Sequence, residues 1–175
     1  MLPTFKSWSA REVVTSEKLN EQIRDVYSFI SNAPSMVCKR TTTLKITGGS
    51  AEKVPWETAE GSGITVNKSG SSIPSLTISQ AGLYYATASL AGQPSDVTHF
   101  MIDICVNGSR ELRGVTTADQ VGYQDTALCA GTLRLKAGDI ITTEVYVSQG
   151  RTAVFTDTSW QVASSALQLC WKGVY

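Results

Sequence analysis

Residues 76–90, L-T-I-S-Q-A-G-L-Y-Y-A-T-A-S-L, constrain the fold more than any other stretch. Gly82 punctuates two apolar runs of strand character. Beyond it, Tyr84, Ala86, Ala88 and Leu90 fall on one face at period two, with Leu83, Tyr85, Thr87 and Ser89 on the other. Small residues and aromatics divided between the two faces predict a central strand covered on both sides. Further strand-like stretches lie at 36–46, 63–66, 99–106, 126–135, 140–147, 153–156 and 165–171. Turn chemistry separates them: Gly48-Gly49-Ser50, Ser69-Gly70-Ser71, Asn107-Gly108, Ala137-Gly138-Asp139 and Gln149-Gly150. Many short strands at near-regular spacing, with no helix among them, predict a β-sandwich or barrel. The Gly/Ser-rich segment 61–72 reads as the most mobile loop.

Within 99–106, Phe100, Ile102, Ile104 and Val106 alternate with Met101, Asp103 and Cys105. The first set is the better core face, which makes Cys105, beside an aspartate, a candidate for a subunit contact. Near the end, Leu167, Leu169 and Trp171 share one face, as in a strand that reaches into the core.

Ahead of the strands the period changes. Thr15 is placed to cap a helix, its hydroxyl accepting from an unpaired backbone N–H, and Glu17 in the first turn suits the helix dipole. Leu19, Ile23, Val26, Tyr27 and Ile30 then form one stripe. Pro34 disfavours helical geometry just before it and ends the element. The spacing predicts a helix at about 16–31, an attachment segment over 1–35 and a β-domain over 36–175. Leu19, Ile23, Val26 and Ile30 also match d-a-d-a of a heptad, but two heptads are too short to hold strands together alone. The stripe therefore fits either an amphipathic helix lying on its own domain or a neighbour, or a helical bundle. Phe5 and Trp8, two aromatics in a polar tail, fit either docking onto a partner or folding back onto the chain.

Fifteen basic and fifteen acidic residues cancel, which removes the usual electrostatic footprint of a nucleic-acid binder. No run approaches the ~20 apolar residues that span a bilayer. The first residues carry no apolar core of a secretory signal. A chain made and kept in the cytosol is expected to hold Cys38, Cys105, Cys129 and Cys170 as buried thiols, although four cysteines admit three pairings.

Catalytic chemistry has little to stand on. His99 is the only histidine, and no motif supplies it with a nucleophile. Glu111, Asp119 and Asp125 fall in a loop-rich stretch, but spacing alone fixes no separation between two carboxylates. They also lack the D-x-D-x-D-G pattern of a calcium loop. The glycine-rich pieces lack the G-K-[ST] of a phosphate loop, and no cysteine–histidine spacing fits zinc. The expectation is a protein without enzymatic activity, cofactor or metal.

Four features in order carry a resemblance. They are A-G-L-Y-Y-A-T-A-S-L at 81–90, V-N-G at 106–108, L-R-L-K-A-G-D at 133–139 and S-A-L-Q-L-C-W at 165–171. Together they resemble the jelly roll of the tumour necrosis factor and complement globular-head superfamily, over about 37–173. Val54-Pro55-Trp56 is similar to a short strand near that family's start. The resemblance implies a jelly-roll β-sandwich behind the short N-terminal α-helix, and a homotrimer. A tyrosine-bearing sheet face, with Tyr85 and Tyr146 as candidates, is then expected between subunits.

The front segment W-S-A-R-E-V-V-T-S-E-K-L-N-E-Q-I-R-D is similar to the N-termini of small tailed-bacteriophage structural proteins. That resemblance implies a virion protein made in the host cytoplasm: a head fibre, minor capsid or decoration protein, or a small tail-tip protein. Its partners would be major capsid or tail proteins, held through Phe5, Trp8, Leu19, Ile23, Val26, Tyr27 and Ile30. An alternative is a receptor- or glycan-binding module at a tail tip, using exposed loop aromatics such as Trp56, Tyr123 and Trp160.

Overall fold

The structure, a computed structural model, describes residues 11, 13–94, 98–118, 125–155 and 165–174. The chain divides into two compact units at Ala33/Pro34.

Among the described residues, the first unit contains one helix, α1 (Ser16–Ser31). Thr15 caps it as its sequence predicts: the Lys18 amide donates to Thr15 Oγ1 at 3.3 Å, and the Leu19 amide to the Thr15 carbonyl at 3.1 Å. The Asn32 amide donates back to the Ser28 carbonyl, and the helical path stops before Pro34.

The second unit is a jelly-roll sandwich of two antiparallel sheets. Its strands are β1 (Ser35–Lys39), β2 (Leu44–Thr47), β3 (Ala51–Lys53), β4 (Thr58–Ser62), β5 (Ile64–Ser69), β6 (Ser72–Ile78), β7 (Gly82–Pro94), β8 (Thr98–Val106), β9 (Ser109–Ala118), β10 (Asp125–Leu135), β11 (Ile140–Val147), β12 (Thr152–Phe155) and β13 (Ala166–Gly173). One sheet runs β2-β12-β7-β13-β1-β4, with β10 on the other edge of β7. The second runs β5-β6-β11-β8-β9, with β3 also paired to β11.

Alternation decides the core. Tyr84, Ala86, Ala88 and Leu90 of β7 point inward with Leu167 and Leu169 of β13 and Cys129, Leu133 and Leu135 of β10. Phe100, Ile102 and Ile104 of β8 and Ile141, Val145 and Val147 of β11 meet them from the second sheet. Phe100 and Phe155 pack edge to face, centroids 5.4 Å apart. Trp56 is 1% exposed, and its indole N–H donates to the buried Thr143 Oγ1 at 2.8 Å. It is therefore a core residue and not a loop aromatic open to a sugar.

Several expectations need correction. β7 is central in its sheet, but the described residues cover one face only: Leu83, Thr87 and Ser89 are half-buried and Tyr85 is exposed. The segment 61–72 is not a loop. It carries most of the β5–β6 hairpin, which turns at Gly70 with φ 61°, a left-handed geometry that glycine adopts without a steric penalty. The stretch read as one strand at 36–46 is two, because the buried Arg40 turns the chain aside. Its guanidinium donates to the carbonyls of Pro55 at 2.5 Å and Thr43 at 3.2 Å. Glu57 closes the same corner, accepting from the amides of Thr41 at 2.9 Å and Thr42 at 3.1 Å and from both hydroxyls. Burial alone would raise the Glu57 carboxyl, but these hydrogen bonds hold it down to about 2.

Glu111 and Asp125 belong to strands β9 and β10, not to a loop, while Asp119 lies outside the described residues. Cys105 is buried within its own chain, so it is not a subunit contact. All four cysteines are free thiols, and burial pushes Cys38, Cys105 and Cys129 up to about 11.

The turns sort to the two ends of the sandwich. At one end, Asn107 and Gly108 both take positive φ (51° and 82°) to close the tight β8–β9 hairpin. Asn107 also donates to Asp139 Oδ1 at 2.9 Å, which ties that hairpin to the β10–β11 turn. Pro34, where the chain enters the sheet, is at this end: its carbonyl accepts from the Trp171 amide near the finish of β13. The strand ends that flank 95–97 and 119–124 lie at the opposite end.

Candidate assembly surfaces

Strand register builds the first candidate surface on the outer face of the β7 sheet. Tyr85 stands beside Thr132 of β10 on one side and Cys170 of β13 on the other, and Cys170 continues to Ser35 of β1. The next outward row is Ala130, Thr87, Gln168 and Val37. The row beyond is Leu128, Ser89, Ala166 and Lys39. Across β10, β7 and β13 these three rows hold no charged side chain. Charge enters only toward the edge, at Lys39 on β1 and Glu60 on β4. Tyr85 is 41% exposed and Leu128 60%. Lys172 Nζ lies 5.9 Å from the Tyr85 ring centroid, at the margin of the patch.

The outer face of the other sheet is built differently. Its central row is Lys53, Glu144, Asp103 and Arg113, two acidic residues side by side with a basic residue at each end, from β3 to β9. Asp103 is 1% exposed, yet its carboxylate is fully engaged. Arg110 Nε donates to it at 2.6 Å, and Arg113 donates from Nε and Nη2, both at 2.8 Å. Burial would raise the Asp103 carboxyl, but the two guanidinium groups outweigh it and hold the group below its ordinary value. Asp103, Arg110 and Arg113 already pair within the chain, so covering this face would desolvate these ions without new partners.

Tyr146 sits on this second face, in the row Ala51, Tyr146, Met101, Val115. The expectation that Tyr85 and Tyr146 share one face is therefore wrong. They stand on different sheets, each pointing away from the sandwich. Of the two, Tyr85 stands in three adjoining rows that carry no charge on β10, β7 and β13, whereas the row next to Tyr146 is charged on every strand.

The second candidate surface is the stripe on α1. Leu19, Ile23 and Tyr27 are 47%, 58% and 72% exposed, and Val26 is half-buried. The side chain of Ile30 lies outside the described residues, as do Phe5, Trp8, Tyr123 and Trp160.

His99 Nδ1 lies 2.8 Å from Thr117 Oγ1, a polar contact across the β8–β9 pair. Among the described residues, no three His, Cys, Asp or Glu side chains are grouped as metal ligands would be, and no helix is long and apolar enough to cross a membrane. The neutral face was missed by sequence reasoning. Its members come from β1, β7, β10 and β13, and only pairing register brings them together.

Comparison with solved structures identifies the fold. The crystal structure of murine APRIL at pH 5.0 superposes with a TM-score of 0.57 at 12% identity, covering 80% of this chain and 99% of that chain. The structure of Eiger TNF from S. frugiperda gives 0.56 at 13% identity, covering 82% and 94%. The head of this chain is thus a tumour-necrosis-factor-like jelly roll. No protein-family model and no curated protein matches the sequence.

Proposed function

We propose that this chain is a structural protein of a bacteriophage particle, a homotrimer whose jelly-roll heads are held to the particle through the N-terminal segment. It acts as a head fibre, minor capsid or decoration protein and carries no enzymatic activity. One observation carries the reading: a helical unit and a separate jelly-roll unit each leave an apolar or uncharged face open in the single chain, as a subunit of a larger assembly does. The front segment's resemblance to phage structural proteins supports the particle as the place of attachment. The resemblance to the tumour necrosis factor superfamily supports three copies.

Three copies change the energetics of attachment. One anchor of a few residues holds weakly, but three on one trimer act at high effective concentration, and their contributions combine. Deleting residues 1–34 tests the role. Particles assembled with the truncated chain should contain little or none of it, while the free head keeps its sheet signature by circular dichroism. Normal incorporation of the truncated chain would refute the anchoring role.

A second reading, receptor or glycan binding at a tail tip, has one observation in its favour. The strand ends bordering 95–97 and 119–124 gather at the end of the sandwich opposite Pro34, where a projecting head would meet a host surface. Binding of the purified trimer to susceptible cells, lost when 119–124 is replaced by a short glycine-serine turn, would favour it.

A further inference from the structure

We propose that the apolar stripe of α1 packs against the same stripe of two other copies, as a short parallel three-helix bundle, so that particle attachment falls to the residues before it. This inference rests on the trimer reading and names the partner of one of its surfaces.

Its basis is where the helix keeps its charges. With Leu19 and Val26 at d and Ile23 and Ile30 at a, the flanking e positions hold Asn20 and Tyr27 and the g positions Gln22 and Phe29. None of these is charged. Glu17, Lys18, Glu21, Arg24 and Asp25 all fall at b, c or f, the positions turned away from a seam. A helix that lies on an unrelated protein surface needs one apolar stripe and is free to carry charge along its margins. Helices packed side by side bring the e and g positions of neighbours together, so margins without charge can be covered there with no ion left to pair.

The seam also departs from the two-stranded pattern. Two-stranded coils favour leucine at d; Leu19 keeps that pattern, whereas the second d position is the β-branched Val26. Tyr27 at e widens the exposed apolar strip beyond a and d, which gives it more to bury between three helices than between two. The exposure of Leu19, Ile23 and Tyr27 leaves this surface open in the single chain.

Two heptads do not hold three chains together by themselves. Trimeric heads alter that balance. Threefold symmetry brings the three Pro34 residues to the same end of the assembly, and a short connection from there holds the helices at roughly millimolar effective concentration. The bundle is then a consequence of head assembly and not its cause.

The test is site-specific disulfide formation in the full-length chain. Ile23→Cys and, separately, Val26→Cys place a thiol on the seam, and Glu21→Cys places one at f. Each is oxidised beside the unaltered chain, which reports any background from the native cysteines. The result expected is a trimeric mass in solution, with covalent dimers from both seam variants and none from Glu21→Cys. A disulfide joins two chains of each three, so about two-thirds of the chains is the ceiling.

A trimeric mass with no seam disulfide from either variant would overturn the bundle and leave the head trimer standing. Equal crosslinking at Glu21→Cys and the seam would also overturn it. A monomeric mass for the unaltered chain would remove the trimer reading itself, and the bundle with it.

Discussion

Replacing Tyr85 by aspartate should dissociate the trimer without unfolding the head. The side chain points outward from β7 and is 41% exposed in the single chain, so the substitution leaves the core contacts of Tyr84 and Ala86 in place. On the trimer reading, the remaining exposed part of the ring is covered in the assembled form. A tyrosine offers about 200 Å² of buriable surface, so roughly 80 Å² is at stake, worth about 2 kcal/mol per subunit. An aspartate in its place brings a carboxylate into this patch, where Lys172 lies at the margin. Even with that partner, desolvation adds about 2 kcal/mol. Around 4 kcal/mol per subunit, counted three times, is roughly 12 kcal/mol per trimer, or about eight to nine orders of magnitude in the trimer association constant. Light scattering on a sizing column should show the shift from trimer to monomer at micromolar concentration. Alkylation of Cys170, which sits beside Tyr85 in the register, gives an independent readout: slow in the parent, fast in Tyr85→Asp. Tyr146→Asp, on the charged sheet, should keep the parent mass. A trimeric Tyr85→Asp with Cys170 still protected would refute the placement of the interface on this face.

Asp103→Ala should lower urea stability by about 2 kcal/mol, because Arg110 and Arg113 lose their shared carboxylate but keep partial access to water; an unchanged midpoint would mean the ion triad is not formed in solution. Acid should destabilise the head in a definite window. Glu57 is held down to about 2 and Asp103 below its ordinary value, so their contributions are complete above the unfolded carboxyl range and vanish as pH falls through the folded values. The urea midpoint should be flat from pH 7 to about 5 and fall between about 4.5 and 2, with a shallower fall in Glu57→Gln. Gly114→Ala should cost about 2 kcal/mol, since its methyl group would land on the Leu128 carbonyl where β9 and β10 approach; a wild-type midpoint would show that the two strands sit further apart.

How much could be read from the sequence tracks how local the cause is. α1 was legible to its ends because the Thr15 cap, the stripe and Pro34 all act within a few residues. β11 was legible because I-I-T-T-E-V-Y-V is dense in β-branched and aromatic residues and is bounded by the turns at Gly138-Asp139 and Gln149-Gly150. β9 was not: S-R-E-L-R-G-V-T-T-A reads as polar turn, and what makes it a strand is Asp103 on β8, which pairs Arg110 and Arg113 across the hairpin. β4 is likewise a polar edge strand, defined by pairing with β1. The break at Arg40 depends on carbonyls up to fifteen residues away. The candidate face was the least legible feature. Tyr85 was visible as a candidate, but the absence of charge around it exists only once three distant strands are laid side by side.

β7 connects these points to function. It is hydrogen-bonded along both edges, by β10 on one side and by β13 and β12 on the other, so no further strand can add to it. Only its outer face remains for a partner, and a face admits side-chain packing without backbone pairing. That favours another folded sandwich over an extended peptide, since a peptide would leave its own backbone groups desolvated and unpaired. The sequence predicts a strand covered on both sides, and the described residues provide one cover. On the trimer reading the second cover is a neighbouring copy, which is why a feature written into one strand's alternation is completed only by assembly.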